Sequence, residues 1–403
     1  MMKTIKFYTL GCKVNQYDTQ VMREQFLARG FRELTNGAAA QVYLINTCTV
    51  TGRADSESLG FIRRAEKENP RARVIVTGCL AELDADKIKH VCPAAVIVKK
   101  GNWLKQGISG FSGHTRAFLK IQDGCDNFCA YCKVPLARGP CRSKPLQEIV
   151  SEAAGLARRG FKEIVLCGIC LGAWGKDLRP AGELAEAISC LEKIPGLLRL
   201  RLSSIEAGDI SAKLIAKFKN SKILCPHLHI PMQSGDDEIL QLMLRQYRRA
   251  DYLGLAAQIR EDVPGIAITT DCLVGFPGEE ERHFQNTISL LRKIIPLKTH
   301  VFPFSARPGT KAASLPGAVS PEEIKIRACR LRAVARECAL KYQQGFLGKK
   351  VSVLVEQRAG DDPACQEGHS DNYIKVRMRA KRGLRNQLVQ VKLKEVRGDY
   401  CLA

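Results

Sequence analysis

Strands and helices are predicted to alternate along most of this 403-residue chain. Short apolar runs such as 5–10 and 42–46 are typical of buried strands, and the stretch 15–29 has the pattern of a helix. Such alternation indicates an α/β fold with a parallel sheet. We predict an open parallel α/β sheet over residues 1–110. A second series of about six β/α units over residues 111–341 favours a complete or partial (β/α) barrel.

Three cysteines of the N-terminal series each follow the last apolar residues of a different predicted strand. They are Cys12, Cys48 and Cys79. In an open parallel sheet the ligand crevice lies outside the carboxyl ends of the strands. We therefore expect these thiols to converge on one site, although they are far apart in sequence. The arrangement favours an iron–sulfur cluster with one open iron, and zinc with a fourth His or Asp ligand is the alternative.

A denser group of cysteines opens the second series, with the spacing Cys-x-x-x-Cys-x-x-Cys. Cys125, Cys129 and Cys132 supply three soft thiolates, which suit an iron–sulfur cluster. A closed structural site usually has four ligands, so a set of three leaves one iron open for a small molecule. Half of a zinc site is the alternative interpretation.

Further polar residues lie at or near predicted strand ends of the second series. Gly168 follows a strand, where a glycine lets the backbone approach a ligand. Arg138 and Arg142 are expected to contact phosphate or carboxylate, or to form surface ion pairs. Candidates for lining a substrate pocket are His227, His229 and Gln233, and a structural role is the alternative for either histidine. Cysteines that we interpret as structural or as spectators are Cys92, Cys141, Cys167 and Cys170.

The chain is strongly basic, with 63 Lys and Arg against 41 Asp and Glu, a formal net charge of +22. This balance favours a polyanionic partner, most simply nucleic acid. The excess is concentrated in residues 342–403, where short alternating strands predict a small β-barrel. A solvated basic face is the alternative. The predicted RNA contacts, with one aromatic ring for base stacking, are Tyr373, Lys375, Arg377, Arg379, Lys381, Arg382 and Arg385.

The sequence gives no indication of a membrane or secreted protein. No apolar run reaches the ~18 residues that a membrane helix needs, and the N-terminus lacks the pattern of a signal peptide. We expect a cytoplasmic location and no membrane partner. In a reducing compartment the 17 cysteines are not expected to form a disulfide framework, which leaves metal ligation or ordinary burial.

Several motifs together resemble those of the radical S-adenosylmethionine (SAM) methylthiotransferases, over essentially the whole chain. The C-terminal stretch 370–376 resembles the TRAM RNA-binding domain of that family. The motifs that carry the resemblance lie at 9–16, 46–51, 76–79, 125–132, 231–235 and 275–279.

The resemblance implies two [4Fe–4S] clusters. It implies an auxiliary cluster that supplies or carries sulfur on the N-terminal trio, and a SAM-cleaving cluster on the central trio. SAM then serves both as methyl donor and as the source of a radical that abstracts hydrogen from the substrate carbon. It also implies a reductant such as flavodoxin or ferredoxin. The residues that it suggests for contacts with SAM are Gly168, Gln233 and Glu279.

The motif at 11–16 and the stretch 370–373 most resemble the branch that adds a methylthio group to C-2 of threonylcarbamoyl-adenosine beside the tRNA anticodon. This implies the tRNA anticodon stem-loop as partner. Branches that act on isopentenyl-adenosine or on a ribosomal-protein aspartate are the alternatives. A zinc-containing RNA-binding protein without catalysis is an alternative of another class. The chain departs from the commoner family pattern at Lys133, Cys167 and Cys170.

Overall fold

The computed structural model describes residues 3–35, 37–101, 104, 106–360, 362, 364–379 and 383–403. Its N-terminal part is the predicted open sheet, with all its strand pairs parallel and the order β2-β1-β3-β4-β5. Strand β3 is buried along its whole length. The elements are β1 (Thr4–Thr9), α1 (Lys13–Ala28), β2 (Arg32–Glu33), β3 (Val42–Thr47), α2 (Gly52–Glu68), β4 (Arg73–Gly78), α3 (Cys79–Leu83), α4 (Ala85–Val91) and β5 (Val96–Ile97).

The central part contains six parallel strands that follow one another in chain order. Two three-stranded sheets, β6-β9-β10 and β11-β12-β13, are joined by single bridges between Leu200 and Leu224 and between Ser204 and His229. The prediction of about six β/α units in a partial barrel is therefore confirmed. The elements are β6 (Ala117–Lys120), β7 (Gln122–Asp123), α5 (Val134–Arg138), β8 (Arg142–Ser143), α6 (Leu146–Arg158), β9 (Glu163–Cys167), α7 (Leu184–Leu191), β10 (Arg199–Leu202), α8 (Ala212–Asn220), β11 (His227–His229), α9 (Asp237–Leu242), α10 (Arg249–Asp262), β12 (Ala267–Val274), α11 (Glu281–Ile294), β13 (Lys298–Pro303) and α12 (Pro321–Gln344).

The C-terminal part is a six-stranded sheet with the order β17-β14-β15-β16-β19-β18. Most of its pairs are antiparallel, and β16 pairs with β19 in parallel. The sequence pattern did not reveal β15. The TRAM identity of this sheet stays a prediction, as do the domain boundaries at 110 and 341. The strands are β14 (Lys350–Arg358), β15 (Cys365–Ser370), β16 (Lys375–Arg379), β17 (Leu388–Lys392), β18 (Glu395–Arg397) and β19 (Tyr400–Leu402).

Helix α1 belongs to two hydrophobic cores. Its residue Met22 packs with the strands of the N-terminal sheet. Val14, Tyr17 and Val21, on another face of the same helix, are part of the large core beneath the barrel strands. The N-terminal sheet and the barrel therefore share an element and are not joined by a linker alone.

A buried ion-pair network reinforces this junction. The Lys120 ammonium contacts the carboxylates of Asp18, on α1, and of Asp123. The distance from Lys120 Nζ to Asp123 Oδ2 is 3.0 Å. The guanidinium of Arg138 donates to Asp123 Oδ1 at 2.7 Å, lies 3.4 Å from Asp18 Oδ2 and contacts Asn15. The sequence leaves phosphate, carboxylate or a surface ion pair open for Arg138. Its side chain is 1% exposed and binds carboxylates, which are those of the protein's own Asp18 and Asp123.

The C-terminal sheet is seated on the barrel by Tyr373 and by two arginines of β10. Arg201 donates to the carbonyl oxygens of Asp371 and Ser370 at 2.9 and 3.2 Å, and Arg199 donates to that of His369. The ring of Tyr373 stacks against His227 of β11, with centroids 4.4 Å apart, and also against His369. Base stacking by Tyr373 stays a prediction, and the ring would have to leave these contacts to achieve it.

Glu163, at the start of β9, is fully buried beneath this interface. Burial alone would raise its pKa, but the charges of Arg201, Arg116 and Arg199 outweigh it and lower the pKa to about 2. The folded-state pKa is therefore below the ordinary value of 4.5. Stability from this group is present above pH ~4.5 and is lost as pH falls through about 2.

We expect Glu163→Gln to lower the free energy of unfolding at pH 7 by about 3 kcal/mol, because it leaves buried arginines unpaired. It should also flatten the dependence of stability on pH between ~4.5 and ~2, where the wild-type carboxylate takes up its proton. Urea unfolding curves across this pH range measure both effects. Glu57→Gln, which removes an exposed partner of Arg53, is the matched control. Identical pH profiles for wild type and Glu163→Gln would contradict the prediction.

Candidate active site

The N-terminal trio of cysteines lies at the carboxyl edge of three adjacent strands. Cys12 caps the start of α1 after β1, Cys48 follows β3, and Cys79 begins α3 directly after β4. Strands β1 and β3 are neighbours in the sheet. The chain places β2 on one side of β1 and β3 on the other, and the crevice between β1 and β3 is the usual ligand site of this topology. Gly11, with φ +94°, permits the close approach, since an added Cβ would lie 2.8 Å from Cys48 Sγ.

The surroundings of this trio suit metal-ligating thiolates. Burial, together with the nearby Cys79 and Cys12, raises the pKa of Cys48 to about 11. Lys100 Nζ donates to Cys79 Sγ at 3.0 Å. Cys12 itself is exposed. Because thiols must be deprotonated to bind a metal, a soft cationic group is the natural partner of such a set, and the residues fit an iron–sulfur cluster.

The central trio is held in a loop between the short strands β7 and β8. Ala130 N donates to Met243 O at 3.0 Å, and Ala130 O accepts from Ala312 N at 2.8 Å, so the middle of the loop is anchored to the barrel. The three cysteines are each partly exposed. Phe128, between the first and second, is 59% exposed with φ 45°.

Each sulfur of the central trio has a hydrogen-bonding neighbour. Arg245 Nη1 donates to Cys129 Sγ at 3.3 Å, and the backbone N of Val134 donates to Cys132 Sγ at 3.4 Å. A hydrogen bond with the Cys170 thiol lowers the pKa of Cys125. Hydrogen bonds to ligand sulfurs are among the factors that set the potential of an iron–sulfur cluster. The donor set therefore fits such a cluster in its chemistry.

The position of Cys170 was missed by the sequence interpretation, which took it as structural. It is 5% exposed, and its Sγ lies 3.4 Å from Asp209 Oδ2. Its backbone N donates to Gln122 Oε1 at 2.8 Å, and Gln122 belongs to the hairpin that carries the cluster loop. The Cys-x-x-Cys spacing of Cys167 and Cys170 was the one sequence signal that pointed to Cys170. Its thiol partner, however, is Cys125 on the cluster loop. Cys167 is fully buried, in keeping with a structural role.

No three His, Cys, Asp or Glu side chains among the described residues are arranged to hold a single metal ion. A cluster has a different requirement, because it contains several irons and its thiolates need not converge on one point. Cluster ligation by the two trios stays a prediction.

The residues suggested for SAM contacts all lie near the carboxyl ends of barrel strands. Gly168 follows β9, and an added Cβ there would lie 2.7 Å from Gln122 Oε1. Gln233 follows β11 and exchanges backbone hydrogen bonds with β12. Glu279 is paired with Arg327 at 2.8 Å and accepts from Gly275 N at 3.0 Å. These contacts account for Glu279 without a ligand, and its role toward SAM stays a prediction.

The basic residues predicted to contact RNA have different surroundings. Lys375 and Arg377 both pair with Glu367, at 3.2 and 3.3 Å. Arg379 and Arg385 are exposed. Lys381 and Arg382 lie outside the described residues.

Two family models match the chain. Residues 4–99 match the Uncharacterized protein family UPF0004, and residues 119–291 match the Radical SAM superfamily. A protein of Thermotoga maritima named threonylcarbamoyladenosine tRNA methylthiotransferase MtaB is 38% identical, and the alignment covers 93% of this chain and 91% of the relative. The chain belongs to the radical-SAM methylthiotransferase family. Members of the Radical SAM superfamily use SAM and a [4Fe–4S] cluster, so this chain is assigned both.

A second relative in the family, from Acetivibrio thermocellus, is named tRNA-2-methylthio-N(6)-dimethylallyladenosine synthase. It is 30% identical, and the alignment covers 96% of this chain and 88% of the relative. Among solved structures, the radical SAM methyltransferase TsrM from Kitasatospora setae has a TM-score of 0.54 at 14% identity, covering 78% of this chain and 75% of that one. That likeness shows the fold alone. Family membership favours an enzyme over a non-catalytic zinc protein.

No helix formed by the described residues is long and apolar enough to cross a membrane.

Proposed function

We propose that this protein transfers a methylthio group to C-2 of N6-threonylcarbamoyladenosine beside the anticodon of tRNA. The observation that carries the proposal is the presence of two cysteine trios, at the carboxyl edges of two adjoining α/β units, in a chain aligned over nearly its whole length with relatives that bear this name. One trio accounts for SAM cleavage. The second trio is what a sulfur-inserting enzyme needs in addition.

The residues that would hold the cofactors follow from their positions. Cys125, Cys129 and Cys132 would hold the SAM-cleaving [4Fe–4S] cluster, and a second cluster would lie on the N-terminal trio. SAM would bind near Gly168, Gln233 and Glu279. When bound, these groups supply a radical that removes hydrogen from the substrate carbon and the sulfur that replaces it.

The protein's own contribution is positioning and the exclusion of water. Helix α1 carries Cys12 at its first turn and is packed into the barrel core by Val14 and Tyr17. The ion pairs of Arg138 and Lys120 lie at the same junction. The two trios are therefore fixed relative to each other, which suits a reaction in which both act on one carbon atom.

The C-terminal sheet is proposed to bind the tRNA backbone through its exposed basic residues, notably Arg379 and Arg385. Such contacts release counterions, so affinity should fall as salt is raised. Residues 1–110, 111–341 and 342–403 would then be the sulfur-carrying, radical-generating and RNA-binding domains. A small electron-transfer protein such as flavodoxin or ferredoxin would serve as reductant, and the setting would be cytoplasmic.

The test is mass analysis of tRNA nucleosides from a strain that lacks the gene. We expect the 2-methylthio derivative of threonylcarbamoyladenosine to disappear and its unthiolated precursor to accumulate. Expression of the wild-type protein should restore the derivative, and a Cys129→Ala variant should not. Loss of the 2-methylthio derivative of dimethylallyladenosine instead would assign the second relative's substrate. Unchanged tRNA with an altered ribosomal-protein aspartate would assign the third branch, and either result would reject our substrate.

A further inference from the structure

Lys13 follows the cluster candidate Cys12 and begins helix α1. It is half-buried. Its charge acts on His227 of β11, on His300 of β13 and on Tyr373, which the C-terminal sheet presents to the barrel. It also acts on Cys167, at the end of β9. Lys13 lies one turn before Tyr17, whose ring belongs to the barrel core, so both residues are on the face of α1 that packs against the barrel. The side chain of Lys13 therefore faces the barrel, in agreement with these electrostatic effects.

Other charged groups of the barrel interior have partners. Arg201 pairs with Glu163 at 2.8 Å, and His229 Nε2 lies 3.3 Å from Asp271 Oδ2. Lys13, by contrast, has neither a salt bridge nor a side-chain hydrogen bond within the part of the chain that the structure describes. A half-buried ammonium without an anion is costly, because it gives up water without gaining a partner.

Two buried polar atoms of the barrel also lack partners within the described ranges. Ser203 directly follows β10 and is next but one after Arg201, so the alternation of the strand places both side chains on the same side. Among the described residues the buried Oγ of Ser203 has no hydrogen-bond partner, and neither has Nδ1 of the buried His227. Buried polar groups are normally hydrogen-bonded, so unpaired ones in a barrel that Lys13 faces favour a polar, anionic ligand.

We infer that Lys13 binds the carboxylate of the threonylcarbamoyl group and thereby selects this substrate. The inference rests on the proposed function and deepens it. A threonylcarbamoyl group ends in a carboxylate, whereas a dimethylallyl group is apolar and uncharged. The threonylcarbamoyl carboxylate would stabilise the unpaired ammonium, whereas the dimethylallyl group would leave it without a partner. Lys13 would therefore favour the first substrate and disfavour the second.

The test compares two synthetic anticodon stem-loop RNAs with the reconstituted two-cluster enzyme. One carries N6-threonylcarbamoyladenosine, and the other carries its primary carboxamide, which has the same shape without the charge. For the wild type we expect kcat/KM to fall about 10- to 100-fold on the carboxamide, the range for a lost hydrogen bond to a charged group. Lys13→Ala should lose a similar factor on the acid and no further activity on the carboxamide. Lys13→Arg should restore discrimination.

Two readouts separate this role from damage to the neighbouring cluster site. Iron content should be unchanged in Lys13→Ala and Lys13→Gln, as should the rate of 5′-deoxyadenosine release without RNA. Lys219→Ala, an exposed lysine on α8, is the control and should discriminate like the wild type.

The outcomes distinguish the inference from the proposed function. If the wild type modifies neither RNA, the proposed function fails and the inference fails with it. If the wild type modifies the acid, but the carboxamide is an equally good substrate, or is disfavoured equally by wild type and Lys13→Ala, the proposed function stands and the inference is overturned.

Discussion

Replacing Cys12, Cys48 and Cys79 together by alanine is expected to abolish methylthiolation of tRNA while the cleavage of SAM continues. The three thiols lie at one edge of the N-terminal sheet, and the loop of the second trio is anchored by separate contacts with Met243 and Ala312. Removing the first set should therefore leave the second intact. Iron should fall from about eight to about four atoms per chain if each trio holds one [4Fe–4S] cluster.

The measurements for this variant are iron content, 5′-deoxyadenosine release and methylthio-nucleoside formation on the same anaerobic preparation. Alanine at Cys125, Cys129 and Cys132 should stop both reactions and leave about four irons. Cys92→Ala is the matched control, since Cys92 is also buried in the N-terminal unit but lies away from the strand-end edge of the trio. Methylthiolation at the wild-type rate in the first variant would show that the N-terminal trio is not needed.

Arg138→Met is expected to be the most damaging single substitution at the junction of the N-terminal sheet and the barrel. It leaves the carboxylates of Asp18 and Asp123 with Lys120 as their remaining partner in the network. Removing one member of a buried ion-pair network typically costs about 3–5 kcal/mol, because an uncompensated charge stays buried. The free energy of unfolding should fall by that amount in urea titrations.

Iron binding should fall as well. Arg138 interacts electrostatically with Cys79 and Cys12, and its guanidinium contacts Asn15 on the first turn of α1. Arg138→Lys should lose less stability, since it keeps the charge but not the forked geometry. Arg53→Ala removes an exposed i,i+4 pair and should change stability by less than about 1 kcal/mol. An Arg138→Met protein within about 1 kcal/mol of the wild type would show that the network contributes little.

The sequence predicted the features that depend on local pattern. Alternating apolar runs located most of the strands, and Cys12, Cys48 and Cys79 could be predicted to lie together because the ends of parallel strands meet at one edge. Each strand, and each cysteine that follows one, is recognised from only a few neighbouring residues.

The features that the sequence did not reveal depend on contacts between distant segments. Arginine is usually found at the protein surface, and only the packing of α1 against the barrel places Arg138 between two carboxylates. Tyr373 lies in a basic stretch typical of an RNA surface, yet its ring is stacked on His227 of the barrel. Cys170 meets Cys125 across two loops. Arg138 and Asp18, Tyr373 and His227, and Cys170 and Cys125 are each more than forty positions apart, so no local pattern in the sequence indicates these contacts.

The shared helix α1 has a consequence for engineering and for the evolution of such enzymes. Replacing the N-terminal unit by that of a relative, with the junction placed at the linker, is not expected to give a working protein. Val14, Tyr17 and Val21 of the transferred α1 would then pack against the barrel of another protein. A working chimera must transplant the matching barrel surface with the helix. Recombination within this architecture is therefore expected to succeed at crossovers that keep α1 and β6 from the same parent.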